Sequence, residues 1–205
     1  MKEATKIFLD NIKKYGMKLP EFENKGQYLY YLFNNFGYKE LEICISESID
    51  NSMIFSKWLN FGKLLELDPN QWVKGTYRYD KERPYTRDEF IEASSHRRIM
   101  DIEVMLDIDE KDFFNSIEHK SKYVFEKLKR LGFNPHVSFT GSKSYHISII
   151  IPELRNHNKR VRQLIKTDIL KDFGGDLQKS SDRCMISMLG SIHYKSGKIK
   201  SEVDL

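Results

Sequence analysis

Two stretches decide how this chain folds: VMLDID, residues 104–109, and SFTGSKSYHISI, residues 138–149. The first is an apolar run that ends in two carboxylates one residue apart. Successive side chains of a β-strand alternate faces, so Asp107 and Asp109 are expected on one side and Ile108 on the other. Carboxylates held that close repel each other unless a cation sits between them. A hard divalent ion such as Mg²⁺ or Mn²⁺ is the usual resolution. The second stretch reads as a strand, the turn Gly141-Ser142-Lys143-Ser144, and a strand starting at Tyr145. It offers backbone amides, hydroxyls, an ammonium and the His146 imidazole at one edge, which is the chemistry of a phosphate-binding corner.

Outward from these stretches the periodicity predicts an α+β scaffold. Strands are expected at 73–79, 98–109, 136–140, 145–151 and 184–188, and a final hairpin turns at Ser196-Gly197. Thr86 and Glu89 form a capping box that opens a short helix. Amphipathic helices are predicted over 112–131, buried through Phe113, Ile117, Val124, Leu128 and Leu131, and over 156–173, with Val161, Leu164, Ile165 and Ile169 inward. Upstream, residues 3–15 and 26–36 read as helices, 41–46 as a short strand and 53–67 as helical. The expected organisation is an N-terminal helical lobe or cover, residues 1–70, on a core of residues 71–205.

A third stretch completes a pattern. DLQKSSDR, residues 176–183, leads into LGSIHYKSG, residues 189–197. Asp107-Ile108-Asp109 resembles the hydrophobic-D-x-D/E motif of the archaeo-eukaryotic primases, the family of primase small subunits and primase-polymerases. Ser142-Lys143-Ser144-Tyr145-His146 is similar to that family's second motif, S-G-x-K/R-G-x-H or, more loosely, S-x-H. The third stretch resembles the family's catalytic aspartate, here Asp176, followed by its P-G-S-L-H-x-K-T/S-G signature. The motifs fall in the family's order. The proline of the signature is Leu189 here, and the basic residues upstream of it are replaced by Cys184, Ser187 and Met188. Arg183 and Lys179 are the available substitutes.

The resemblance implies an RRM-like palm, with a mixed or antiparallel sheet flanked by helices, acting as a template-directed nucleotidyltransferase. In that reading Asp107, Asp109 and Asp176 are catalytic and hold two Mg²⁺ or Mn²⁺ ions. Ser142, Lys143, Ser144, His146, Arg183, His193 and Lys195 bind the nucleotide. The implied partners are single-stranded DNA template, primer and NTP or dNTP, with a helicase or accessory primase domain as a further one, since relatives continue beyond Asp204-Leu205. Two alternatives stand beside it. One is a family polymerase that extends primers or repairs ends without initiating. The other is an RRM-like nucleic-acid-binding module without catalysis.

Each residue also has a plainer role. Asp101 and Glu103 share strand parity with the D-x-D pair, so an acidic solvent face would explain all four. Their position before the apolar run marks them as structural or surface residues. His146 alone would be a strand histidine, and Lys195 and Lys198 beside a Ser-Gly turn would be solubilising.

Composition agrees with a folded enzyme domain. The 205 residues can bury one substantial core, at 40% hydrophobic content. A net charge of +4 permits nucleic-acid binding without arguing for it. The 2 cysteines exclude a four-cysteine zinc knuckle and point to reduced thiols in an intracellular, cytoplasmic protein. Neither a membrane-spanning run nor a signal peptide is read in the sequence.

Overall fold

A computed structural model describes residues 2–10, 19–36, 41–49, 52–78, 81–182, 184–193 and 195–205. Its helices are α1 (Glu3–Asp10), α2 (Lys25–Phe36), α3 (Phe61–Leu65), α4 (Arg87–Ala93), α5 (Ile117–Arg130) and α6 (Lys159–Phe173). Its strands are β1 (Glu42–Ile49), β2 (Ser52–Asn60), β3 (Trp72–Arg78), β4 (Lys81–Thr86), β5 (His96–Arg98), β6 (Glu103–Ile108), β7 (His136–Phe139), β8 (Tyr145–Ile150), β9 (Met185–Ser187) and β10 (Ser201–Glu202). The fold is α+β. Its sheets, β2-β1-β5-β9, β10-β7-β8-β6 and the ribbon β3-β4, are paired antiparallel throughout. Among the described residues no helix is long and apolar enough to cross a membrane.

The sheet β10-β7-β8-β6 positions the candidate site, and its two faces differ. Val104, Leu106 and Ile108 of β6 and Ile147 and Ile149 of β8 pack with Val124 and Leu128 of α5 and Ile165 and Ile169 of α6. Each such fully buried aliphatic side chain contributes about 1.5–3 kcal/mol, so this layer anchors the strands firmly. Strand alternation sends Met105, Asp107, His146 and Ser148 to the opposite face, which β5 and β9 of the other sheet approach. The link between the sheets is a buried ion pair. Arg97 of β5 meets both Glu103 oxygens at 2.8 Å, and its Nε donates to the Tyr28 hydroxyl at 2.8 Å.

Several local signals are realised as read. Thr86 and Glu89 form the reciprocal capping box of α4, and Asn158 caps α6 through Val161 N. Other expectations need correction. Residues 52–60 are a strand, not part of a helix, because β2 pairs with β1 along its length (Ile43↔Leu59, Cys44↔Trp58). Since β1 also pairs with β5 (Cys44↔His96), the hairpin of the first seventy residues belongs to a sheet shared with the later chain. The expected boundary at 70/71, with a helical lobe or cover before it, therefore runs through a sheet and a common core that joins Leu29, Leu32 and Ile43 to Phe90, Met100 and Ile150. Helix α5 begins at Ile117, because the Ser116 hydroxyl accepts from His119 N at 3.0 Å and caps it there. Phe113 is consequently 89% exposed instead of buried. Glu103, expected at the surface or in a structural role, is fully buried in its pair with Arg97. The predicted continuation of the first helix over 11–15 lies outside the described residues.

Candidate functional site

The site is built where β6 and β8 lie side by side. Asp107 pairs in register with His146, and Ser138 of β7 lies across from His146 on its other side. His146 Nε2 stands 3.6 Å from Asp107 Oδ1, just beyond hydrogen-bond length. On the second carboxylate oxygen, Oδ2, the Lys179 ammonium closes to 3.6 Å. Asp107 Oδ1 is buried and has no hydrogen-bond partner among the described residues. Burial opposes ionisation of Asp107, but the facing His146 and the Lys179 and Lys200 charges outweigh it and hold the carboxyl below its usual range.

Behind His146 lies a residue that the motifs do not contain. Lys200 Nζ is 2.8 Å from His146 Nδ1 and donates to the Ser187 carbonyl at 2.7 Å. Burial and the Lys200 charge push the His146 imidazole down to about 4, against the opposing pull of Asp107, so it is neutral at pH 7. Burial and Arg97 likewise lower the Lys200 ammonium to about 7. The sequence reading does not single out Lys200, which lies past the third motif. In the structure Ile199 is 57% exposed, its bridge partner Ile192 is 67% exposed, and Lys200 is 4% exposed.

The second and third motifs meet directly. β10 pairs with β7 (Ser201↔Phe139, Glu202↔Ser138), which carries residues 193–198 onto the 140–144 turn. Gly141 has φ +87°, and a Cβ there would lie 2.7 Å from the Lys198 carbonyl oxygen, so only glycine lets the hairpin seat. The Ser196 hydroxyl donates to Gly141 O, and Ser196 N donates to His193 Nδ1 at 3.3 Å. The turn itself is closed by Thr140, whose N and Oγ1 both donate to the Ser144 carbonyl, at 3.0 and 2.9 Å. Ser142, Lys143 and Lys195 are exposed around this junction, Ser144 and His193 are half-buried, and Arg183 lies outside the described residues.

Comparison with known proteins adds little. No protein-family model matches the chain, and no curated protein matches it. Among solved structures it is similar to the polymerase domain of Mycobacterium tuberculosis ligase D in complex with DNA. That likeness has a TM-score of 0.48 and 9% identity, and it covers 88% of this chain and 80% of that one. It provides no residue-level correspondence.

The carboxylates are less converged than the D-x-D pattern predicts. The β6–β8 ladder ends at the pair Ile108↔Tyr145, because β8 turns away there into the 140–144 loop. Asp109 falls past the end of the strand and is exposed, so strand alternation does not hold it beside Asp107. Asp176 caps the 3-10 turn Leu177–Ser180 by accepting from Gln178 N at 2.9 Å. That turn is packed beside β6: a Cβ on Gly175 would lie 3.4 Å from Leu106 Cα, and Lys179 on the same turn reaches Asp107. An all-carboxylate set with a buried, partnerless oxygen suits a hard divalent ion. Among the described residues, however, no three His, Cys, Asp or Glu side chains form a ligand group, and Lys179 supplies the counter-charge to Asp107.

Proposed function

We propose that the chain is a template-directed nucleotidyltransferase, a primase or primase-polymerase domain whose palm is the sheet β10-β7-β8-β6 backed by α5 and α6. One observation carries this reading. Three stretches far apart in sequence, each with the residue types of a primase motif, come together at one end of this sheet. His146 stands across from Asp107, and the 193–198 hairpin seats on the 140–144 turn.

In this reading Asp107, Asp109 and Asp176 would hold Mg²⁺ or Mn²⁺. Two such ions, when bound, would activate a primer 3′-hydroxyl and stabilise charge on the pyrophosphate leaving group. The chain's own groups orient the nucleotide. The exposed Lys143 and Lys195 flank the junction of turn and hairpin and attract the triphosphate. His193 accepts at Nδ1 from the Ser196 backbone, which puts its ring proton on Nε2, a donor suited to a phosphate oxygen. His146 presents a neutral imidazole beside Asp107, and Lys179 is placed to exchange its contact with that carboxylate for one with a phosphate. Such catalysis is mostly positioning and electrostatics. Template contacts through scattered Lys and Arg would make binding salt-sensitive and largely blind to sequence.

The test is incubation with single-stranded template, Mg²⁺ or Mn²⁺ and labelled nucleotides, with and without primer. Products that grow with template length support the proposal. Incorporation only when a primer is present assigns the extending polymerase. Template binding with no incorporation assigns the non-catalytic module, which the unassembled carboxylates favour. Within the proposed enzyme, His193→Ala raises the nucleotide concentration needed for half-maximal extension by about tenfold, or ~1.4 kcal/mol, the size of one lost charge-assisted hydrogen bond. Steady-state extension across nucleotide concentrations measures it.

A further inference from the structure

We propose that Lys200 is a positioning residue that fixes the His146 imidazole as its Nε2–H tautomer, pointing that N–H at the Asp107 side of the site. The inference rests on the proposed reaction for its consequence but on geometry for its substance.

Burying a lysine is costly, because its ammonium loses water. Among the described residues Lys200 makes no close ion pair, and the charges of Glu103 and Asp107 offset that loss only in part. Its Nζ instead has two neutral partners, the Ser187 carbonyl at 2.7 Å and His146 Nδ1 at 2.8 Å. The backbone fixes where it sits, since Lys200 N donates to Ser191 O at 2.8 Å and Gly190 N donates to Lys200 O at 2.9 Å. The chain places an ammonium inside and Ile192 and Ile199 outside, so packing alone does not explain the residue. An ammonium has donors only. With Lys200 protonated, His146 Nδ1 accepts, and the single proton of the neutral ring sits on Nε2, 3.6 Å from Asp107 Oδ1. A carboxylate, an imidazole and an ammonium thus form a row from β6 through β8 to the segment leading into β10. Second partners of this kind set tautomer and ring orientation in histidine sites generally.

The experiment is a long-range ¹H–¹⁵N correlation spectrum of the histidine-labelled full chain, combined with nucleotide titrations of Lys200→Met and Lys200→Arg. The expected wild-type spectrum shows His146 with a bare Nδ1 and a protonated Nε2. Lys200→Met should lose this preference and raise the KM for nucleotide by about fivefold with less change in kcat, as for one lost hydrogen bond. Lys200→Arg, which keeps a donor, should restore both in part. A wild-type His146 protonated at Nδ1 overturns the proposal without need of any variant. An Nε2–H tautomer that persists in a folded Lys200→Met protein overturns it as well. If the tautomer is lost in Lys200→Met while the wild type incorporates no nucleotide, the Lys200–His146 pairing stands and the polymerase reading fails.

Discussion

Asp107→Asn lowers templated nucleotide incorporation by at least about a hundredfold, the scale on which removing one group that stabilises transition-state charge acts. The substitution keeps the side-chain volume and removes only the charge. Asp107 accepts no hydrogen bond within the described residues, and its apolar neighbours Leu106 and Ile108 hold β6 in place from the other face. The variant should therefore fold and bind template as the wild type does. Asp101→Asn provides the contrast. Asp101 lies in the turn before β6, and the Arg155 guanidinium is 3.8 Å away, a contact worth little at a partly exposed site. Extension on a primed template, with thermal melting as the folding control, separates the two. An inactive Asp101→Asn beside an active Asp107→Asn would move the reacting centre away from the β6–β8 edge.

The second large effect is on stability. Glu103→Gln destabilises the protein by about 3–5 kcal/mol, because it leaves the Arg97 guanidinium buried without its counter-charge. Both partners are almost wholly inaccessible, and the pair ties β5 to β6, so the sheet carrying His96 and Ser187 loses its hold on the sheet carrying Asp107. Urea titration measures the loss. Replacing both partners, Arg97→Met with Glu103→Met, should recover a good part of it, since two apolar side chains leave no charge stranded. A Glu103→Gln protein as stable as the wild type would show that the pair does not hold the sheets together. Burial disfavours the ionised Glu103, yet Arg97 more than compensates and keeps its carboxyl below the usual range. The sign follows from that depression. The contribution is complete above the ordinary glutamate pKa of about 4.3 and is lost as pH falls through the lower folded value.

Much of the scaffold around the candidate site was legible in the sequence. The strand, turn, strand pattern around Gly141 appears as β7, the 140–144 loop and β8, and the apolar alternation of residues 104–108 sets which face Asp107 occupies. The hairpin at Ser196-Gly197 forms, with His193 N donating to Lys198 O at 2.8 Å. These are local features: turn chemistry and two-residue periodicity act between neighbours in the chain and are visible in it.

Contacts between elements of the fold decided the rest. Residues 52–60 carry a pattern compatible with a helix and become β2, because β1 offers a strand edge to pair with. Asp109 shares parity with Asp107 in the sequence but lies one residue past the last pair of the ladder, so the pairing that fixes Asp107 does not fix it. Glu103 reads as a structural or surface acid, and Arg97 of another sheet neutralises it in the core. Lys200 carries no signal in the sequence, and the fold turns it inward onto His146. For Glu103 and Lys200 the deciding energy is the desolvation of a charged group whose partner sits on another strand. The sequence by itself determined β6, the β7–turn–β8 corner and the hairpin at Ser196-Gly197, and only the tertiary structure decided which charges would be buried and which partner each would find.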